Sequence, residues 1–252
     1  MSVEYALEGP VAWLTINRPE ARNALNKEVR EGLAAGMQRF NDDERAAVLV
    51  VTGAGDRAFS AGGDLKEMAD QSTRVPPIDY IPQPGRTLDV AKPIIAAVNG
   101  VAYAGGFLLS QNCDLVVAAE HARFAITEVK VGRGAPWAVP LPWLMPPRVA
   151  MEILLTGDPI DAHRAYTLGL VNRVVPQDQL RAVTQKLAEG IAANAPLSVA
   201  AAKRTVYLAA AQERTRAYDE AEKLWEPVYL SDDALEGPRA FQERRTPQWT
   251  GE

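Results

Sequence analysis

The chain has 252 residues, a formal net charge of -5, 47% apolar residues and 23% charged residues. That balance is ordinary for a globular protein and excludes disordered, collagen-like and coiled-coil chains; at ~150 residues per domain it fits one large domain or a domain with an appendage. A single cysteine, Cys113, excludes an intramolecular disulfide and a cysteine zinc site, and no long basic block or membrane-length apolar run is present.

In chain order, Val11–Ile16 reads as a strand, followed by a turn from Asn17 to Ala24. Asn26 offers a helix N-cap, with Val29, Leu33, Met37 and Phe40 at helical spacing behind it. Near-continuous apolar runs at Ala46–Thr52, Pro93–Val98 and Leu115–Ala119 suit strands covered on both faces. Helices between such strands imply crossovers and a mostly parallel sheet. The Pro-rich segment Val75 to Gly85 reads as a surface loop or lid. From about Pro147 the pattern turns helical: a helix ending at Gly157, one from Ala162 to Leu168 capped by Asp161, and a short strand Leu170–Val175. Helices then span Gln179–Asn194, Pro196–Ala210 and Thr215–Leu230. A last one runs from Asp232 to Arg244, with Ser231 as its cap. The start of the chain has no basic stretch followed by an apolar core, so a cytoplasmic location is expected.

The obvious motifs fail on context. Gly53-Ala-Gly-Asp-Arg-Ala58 fits the opening of a dinucleotide fingerprint, but Phe59-Ser-Ala-Gly-Gly63 breaks the helix that motif needs. Ser60 lacks the first glycine of a nucleophile elbow. His121 and His163 are the only histidines, both in charged helix or turn contexts, and Cys113 reads as a small core residue. Two glycine pairs remain, Gly62-Gly63 and Gly105-Gly106, the second opening an apolar helical stretch. They read either as tight packing turns or as paired backbone amides forming an oxyanion hole.

Phe59-Ser-Ala-Gly-Gly-Asp-Leu-Lys-Glu-Met68, Lys92-Pro-Ile-Ile-Ala-Ala-Val-Asn-Gly100, Ala104-Gly-Gly106 and Cys113-Asp114 resemble the crotonase family, the enoyl-CoA hydratase/isomerase superfamily. Asn17-Arg-Pro-Glu20, Asn23-Ala-Leu-Asn26, Leu154-Leu-Thr-Gly157 and Gly169 to Pro176 extend the likeness over nearly the whole chain. The resemblance implies an α/β fold: a crotonase-like spiral of ββα units over residues 1–190, carrying the coenzyme A and acyl site. A C-terminal helical trimerisation region follows over 191–252. It implies a homotrimer or a hexamer made of two trimers, an acyl-CoA thioester substrate, and no cofactor beyond that coenzyme A moiety. The thioester oxygen would lie between the amides of Gly63 and Gly105. Arg22, Ala61, Lys66 and Lys92 occupy stretches matching those that meet coenzyme A. Phe241 and Arg244 match the aromatic and cation that a neighbouring subunit's last helix adds.

Hydratases of the family use two glutamates, and here the chain departs from them. The first position is Leu108, which can neither hold nor release a proton; the second is Glu128. One carboxylate suffices to move a proton between C2 and C4 of a dienolate, so the likeness leans toward an isomerase. A hydratase, lyase or decarboxylase on an unusual acyl group is the alternative, and a non-catalytic acyl-CoA-binding paralogue a further one. Leu108, Phe107, Trp137 and Trp143 are expected to form an apolar pocket that raises the Glu128 pKa. The Pro- and Trp-rich run Gly134 to Pro147 is expected to shape the acyl site and exclude water. Asp79 or Tyr80 of the Pro-rich loop would be the source of any second acid.

Overall fold

A computed structural model describes residues 2–70 and 74–252. Strands β1 (Val3–Glu8) and β2 (Val11–Ile16) form a hairpin that turns through Gly9, whose φ of +57° suits glycine. Helix α1 (Lys27–Asp42) starts where the Asn26 side chain accepts from the Val29 amide, and its buried stripe is Val29, Leu33, Met37 and Phe40. Then follow β3 (Val48–Gly53), β4 (Ala58–Ser60), α2 (Leu65–Asp70), β5 (Ile94–Val98), β6 (Val101–Tyr103), α3 (Gly105–Gln111), β7 (Leu115–Ala119) and β8 (Arg123–Ala125). The second half contains α4 (Leu141–Leu144), α5 (Pro147–Thr156), β9 (Ile160–Asp161), α6 (Ala162–Thr167), β10 (Arg173–Val175), α7 (Leu180–Ala192), α8 (Pro196–Ala211), α9 (Arg214–Leu230) and α10 (Asp232–Glu243).

Two sheets result, one of six strands in the order β1-β2-β3-β5-β7-β10 and one of four in the order β4-β6-β8-β9. The larger sheet is parallel apart from β1, and the smaller is parallel apart from β9. Each of β3, β5 and β7 is followed within a few residues by a strand of the smaller sheet. The chain therefore advances as a spiral of ββ turns. Asn99 pins successive turns: its Nδ2 donates to the carbonyls of Gly53 (2.8 Å) and Gly55 (2.7 Å), and its Oδ1 accepts from the Gly53 amide. Between the sheets and α1 lie the fully buried Phe40, Phe59, Phe107 and Phe124. Each such side chain contributes up to about 3 kcal/mol of burial.

The strands β4, β6, β8 and β9 have no counterpart among the sequence expectations. At two or three residues each, they are too short to show a period-two pattern. β1 does alternate, half-buried against exposed, and is a further strand beyond those expected from the sequence. The residues after Gly53 enter β4 rather than a helix, which excludes the dinucleotide reading on geometry. In the C-terminal region, α7 returns to the large sheet through Leu180 and Ala188. Beyond it, α8 is anchored by Lys203 and Tyr207, which both reach Asp114 at 2.9 Å.

Candidate active site

Both glycine pairs lie at the end of the small sheet, and they touch. Gly62 has φ +95°, and a side-chain carbon on it would lie 2.7 Å from Cβ of Ala104 and 3.1 Å from the Gly105 nitrogen. A larger residue at 62 would therefore force the loops apart. Ala104 is held at φ 50°, ψ -117°, a region that strongly disfavours a side chain, while its amide donates to the Ala125 carbonyl at 2.9 Å. Gly106 lets the Ser60 carbonyl approach to 2.2 Å of where a Cβ would stand. The Gly105 amide heads α3 and so has no acceptor within the helix. The Gly63 amide takes no acceptor among the described residues. The adjacent Leu25 amide donates to the Gly62 carbonyl at 2.8 Å.

Glu128 sits three residues beyond Ala125, in the 3-10 turn Thr127–Val131. Because β8 pairs with β6, this turn leaves the sheet on the side of the Ala104–Gly105 loop. Burial raises the Glu128 carboxyl to about 7; hydrogen bonding from its own backbone amide and from the Trp137 side chain offsets part of that rise. Its Oε2 is buried with no hydrogen-bond partner among the described residues. Trp137 also meets the Phe107 ring at 6.1 Å, and its carbonyl accepts from Gln111 Nε2 at 3.0 Å. Leu108, next to Phe107, is 2% exposed and belongs to the core.

Not every expected residue comes to this place. Trp143 is 57% exposed on α4 and forms no buried wall, because the Pro-rich run turns its ring outward. Lys92 is also corrected: its ammonium lies over the Phe40 ring and donates to the Phe40 (3.2 Å) and Asp43 (2.9 Å) carbonyls, closing the end of α1. Burial lowers its pKa. Of the acids expected from the Pro-rich loop, Asp79 is exposed, and the Tyr80 hydroxyl accepts from Arg30. Asp64 caps the amides of Lys66 and Glu67 and pairs with Arg18, while both Glu67 oxygens are engaged by Arg30 and the Lys27 amide. Among the described residues there is no cluster of His, Cys, Asp or Glu suited to a metal.

The remaining cations are at the surface. The Ala61 amide donates to the Arg22 carbonyl at 3.0 Å, and Lys66 is exposed on α2. Arg22 lines a cleft of about 700 Å³ together with Asp56, Arg57, Val101, His121 and Gln177, past the carboxyl ends of β3, β7 and β10 but at the amino ends of β4 and β6, the opposite end of those two strands from the glycine pairs. Arg57 is exposed there and directly precedes β4, the strand that leads to Gly62-Gly63. Phe241 is 87% exposed on α10, and Arg244 caps that helix with φ 54°.

A spiral of paired sheets closed by C-terminal helices defines a crotonase-type protein. The family described as enoyl-CoA hydratase/isomerase matches residues 7–252. Carnitinyl-CoA dehydratases of Citrobacter koseri and Salmonella typhi are each 38% identical over 261 residues, spanning 99% of this chain and 98% of theirs. An enoyl-CoA hydratase structure from Mycobacterium tuberculosis H37Rv superposes with a TM-score of 0.91 at 39% identity, covering 100% of this chain and 99% of that one. One from Bacillus anthracis gives 0.89 at 31% identity, with both chains fully covered. The chain belongs to the enoyl-CoA hydratase/isomerase family and is an acyl-CoA enzyme of that type. Among its described residues no helix is long and apolar enough to cross a membrane.

Proposed function

We propose that the protein forms and protonates thioester enolates, with Glu128 as its single acid/base. The thioester oxygen accepts from the Gly63 and Gly105 amides. An oxyanion donor of this kind is worth about 3–4 kcal/mol in related acyl chemistry. Glu128 takes the C2 proton onto Oε2, and the C–H pair enters the enolate. In a 3-enoyl thioester the same carboxyl returns that proton to C4, completing Δ3,Δ2 isomerisation. One observation carries this reading: Glu128 is half-buried, its Oε2 is unpartnered, and its carboxyl is poised near 7, where a group can both take and give a proton. Leu108 supplies no second acid.

A second reading, dehydration of a 3-hydroxyacyl thioester, is favoured by the 38% identical relatives named carnitinyl-CoA dehydratase. It fits one carboxylate if elimination is syn. Glu128 takes the C2 proton, the C3–O bond breaks with its pair leaving on oxygen, and Glu128 hands over the proton so that water departs.

In either case Arg22, Ala61, Lys66 and the neighbouring Arg57 would meet the coenzyme A end, and the only coenzyme required is that of the substrate. Phe241 and Arg244 would serve a neighbouring subunit, in a trimer or a dimer of trimers. The exposed apolar faces at Tyr229, Leu230, Leu235 and Phe241 support such an assembly. Incubating the protein with butanoyl-CoA in heavy water tests the enolate reading. Deuterium should enter C2 with the parent chain and fall by roughly 10²–10⁴-fold in Glu128→Gln. Tight coenzyme A binding with no exchange would instead mark a binding paralogue. Water loss from a 3-hydroxyacyl thioester outpacing double-bond migration would select the dehydratase reading.

A further inference from the structure

Arg30 is an arginine on α1 whose side chain is 11% exposed, and it joins three segments. The two hydrogens of its Nη1 are shared among the Leu25 carbonyl at 2.8 Å, Glu67 Oε2 at 2.6 Å and the Tyr80 hydroxyl at 3.0 Å, and the guanidinium lies 3.8 Å from the Tyr80 ring centroid. Each of those segments borders the glycine amides. The Leu25 amide holds the Gly62 carbonyl, and the Leu25 side chain comes within 3.0 Å of a Cβ position on Gly105. Glu67 lies in α2, four residues beyond Gly63, and Met68 beside it packs on Gly63 itself. Tyr80 precedes Ile81, whose Cδ1 stands 2.6 Å from a Cβ position on Gly105.

We propose that Arg30 is a positioning residue for the oxyanion hole, setting the separation of the Gly63 and Gly105 amides by clamping Leu25, α2 and the Pro-rich loop around them. The inference rests on the reading that these two amides hold the thioester oxygen. It assigns Arg30, Glu67 and Tyr80 to one unit. The pair with Glu67 is almost buried, at 11% and 17% exposure, so it is little weakened by solvent. Hydrogen-bond donors fixed in advance stabilise a developing charge because they need no rearrangement during reaction. Losing the clamp lets the loops relax, and the loss falls on turnover more than on coenzyme A binding.

The test uses a conjugated aryl-acrylyl thioester of coenzyme A, whose absorption moves to the red when its carbonyl is polarised. The parent should show that shift whether or not Glu128 is catalytic. Arg30→Met should lose most of it and lower kcat for C2 exchange by about tenfold, since outright loss of an oxyanion donor costs about 10²–10³-fold. Its KM should change by less than about threefold. Tyr80→Phe, which keeps the ring, and Glu67→Gln, which keeps the shape, should each give a smaller loss in the same direction. These two variants carry the test if Arg30→Met does not fold. An unchanged red shift and kcat in the folded variants would overturn the role of Arg30. No red shift in the parent would instead overturn the oxyanion reading beneath it.

Discussion

Replacing Glu128 by glutamine should stabilise the protein at alkaline pH while removing C2 exchange. Burial raises this carboxyl from 4.5 to about 7. At about 1.4 kcal/mol per pH unit, ionising it costs the folded state about 3 kcal/mol. The sign follows from proton counts. Between 4.5 and about 7 the folded chain holds a proton that the unfolded chain has released, so stability falls as pH rises through that window. Below the window the cost is absent; above it the cost is complete. Glutamine does not titrate and escapes it. Urea unfolding of parent and variant at one fixed protein concentration should therefore coincide at about pH 4 and separate by up to about 3 kcal/mol at about pH 9. Equal stabilities at about pH 9 would refute the claim that Glu128 is strained by burial. They would also remove the reason for its raised pKa. Stability withheld at a position of this kind is a common accompaniment of function.

Three further outcomes follow from the same geometry. The kcat/KM for exchange should rise about tenfold per pH unit up to about 7 and then level, because the ionised form is the base; a profile flat below 7 would contradict this. Gly106→Ala places a carbon 2.2 Å from the Ser60 carbonyl oxygen, and since backbone must move, a loss of about 1–3 kcal/mol in urea unfolding together with lost exchange is expected. Lys92→Met removes the donor to the Phe40 and Asp43 carbonyls, so stability should drop by about 1–3 kcal/mol; calorimetric affinity for coenzyme A should not change.

Much of the architecture could be read from local pattern. The buried runs of β3, β5 and β7, the Val29–Phe40 stripe and the Asn26, Asp161 and Ser231 caps all depend on neighbours in sequence, where burial and capping leave a period or a residue type. The glycine pairs were visible as well, because a backbone that approaches another backbone must lack a side chain. The short strands of the smaller sheet were not, since their pairing is made by distant segments.

By itself, then, the sequence determined the family and, through that resemblance, the expectation of a spiral. Only the tertiary structure decided which charged groups are at liberty. Lys92 is taken by the end of α1, Asp64 and Glu67 are taken by Arg18 and Arg30, and Arg57 lies open in the cleft beside Arg22. A long polar side chain can reach partners dozens of residues away, and what it meets there is set by how the spiral closes. Periodicity records where a residue faces; it carries no record of what stands opposite.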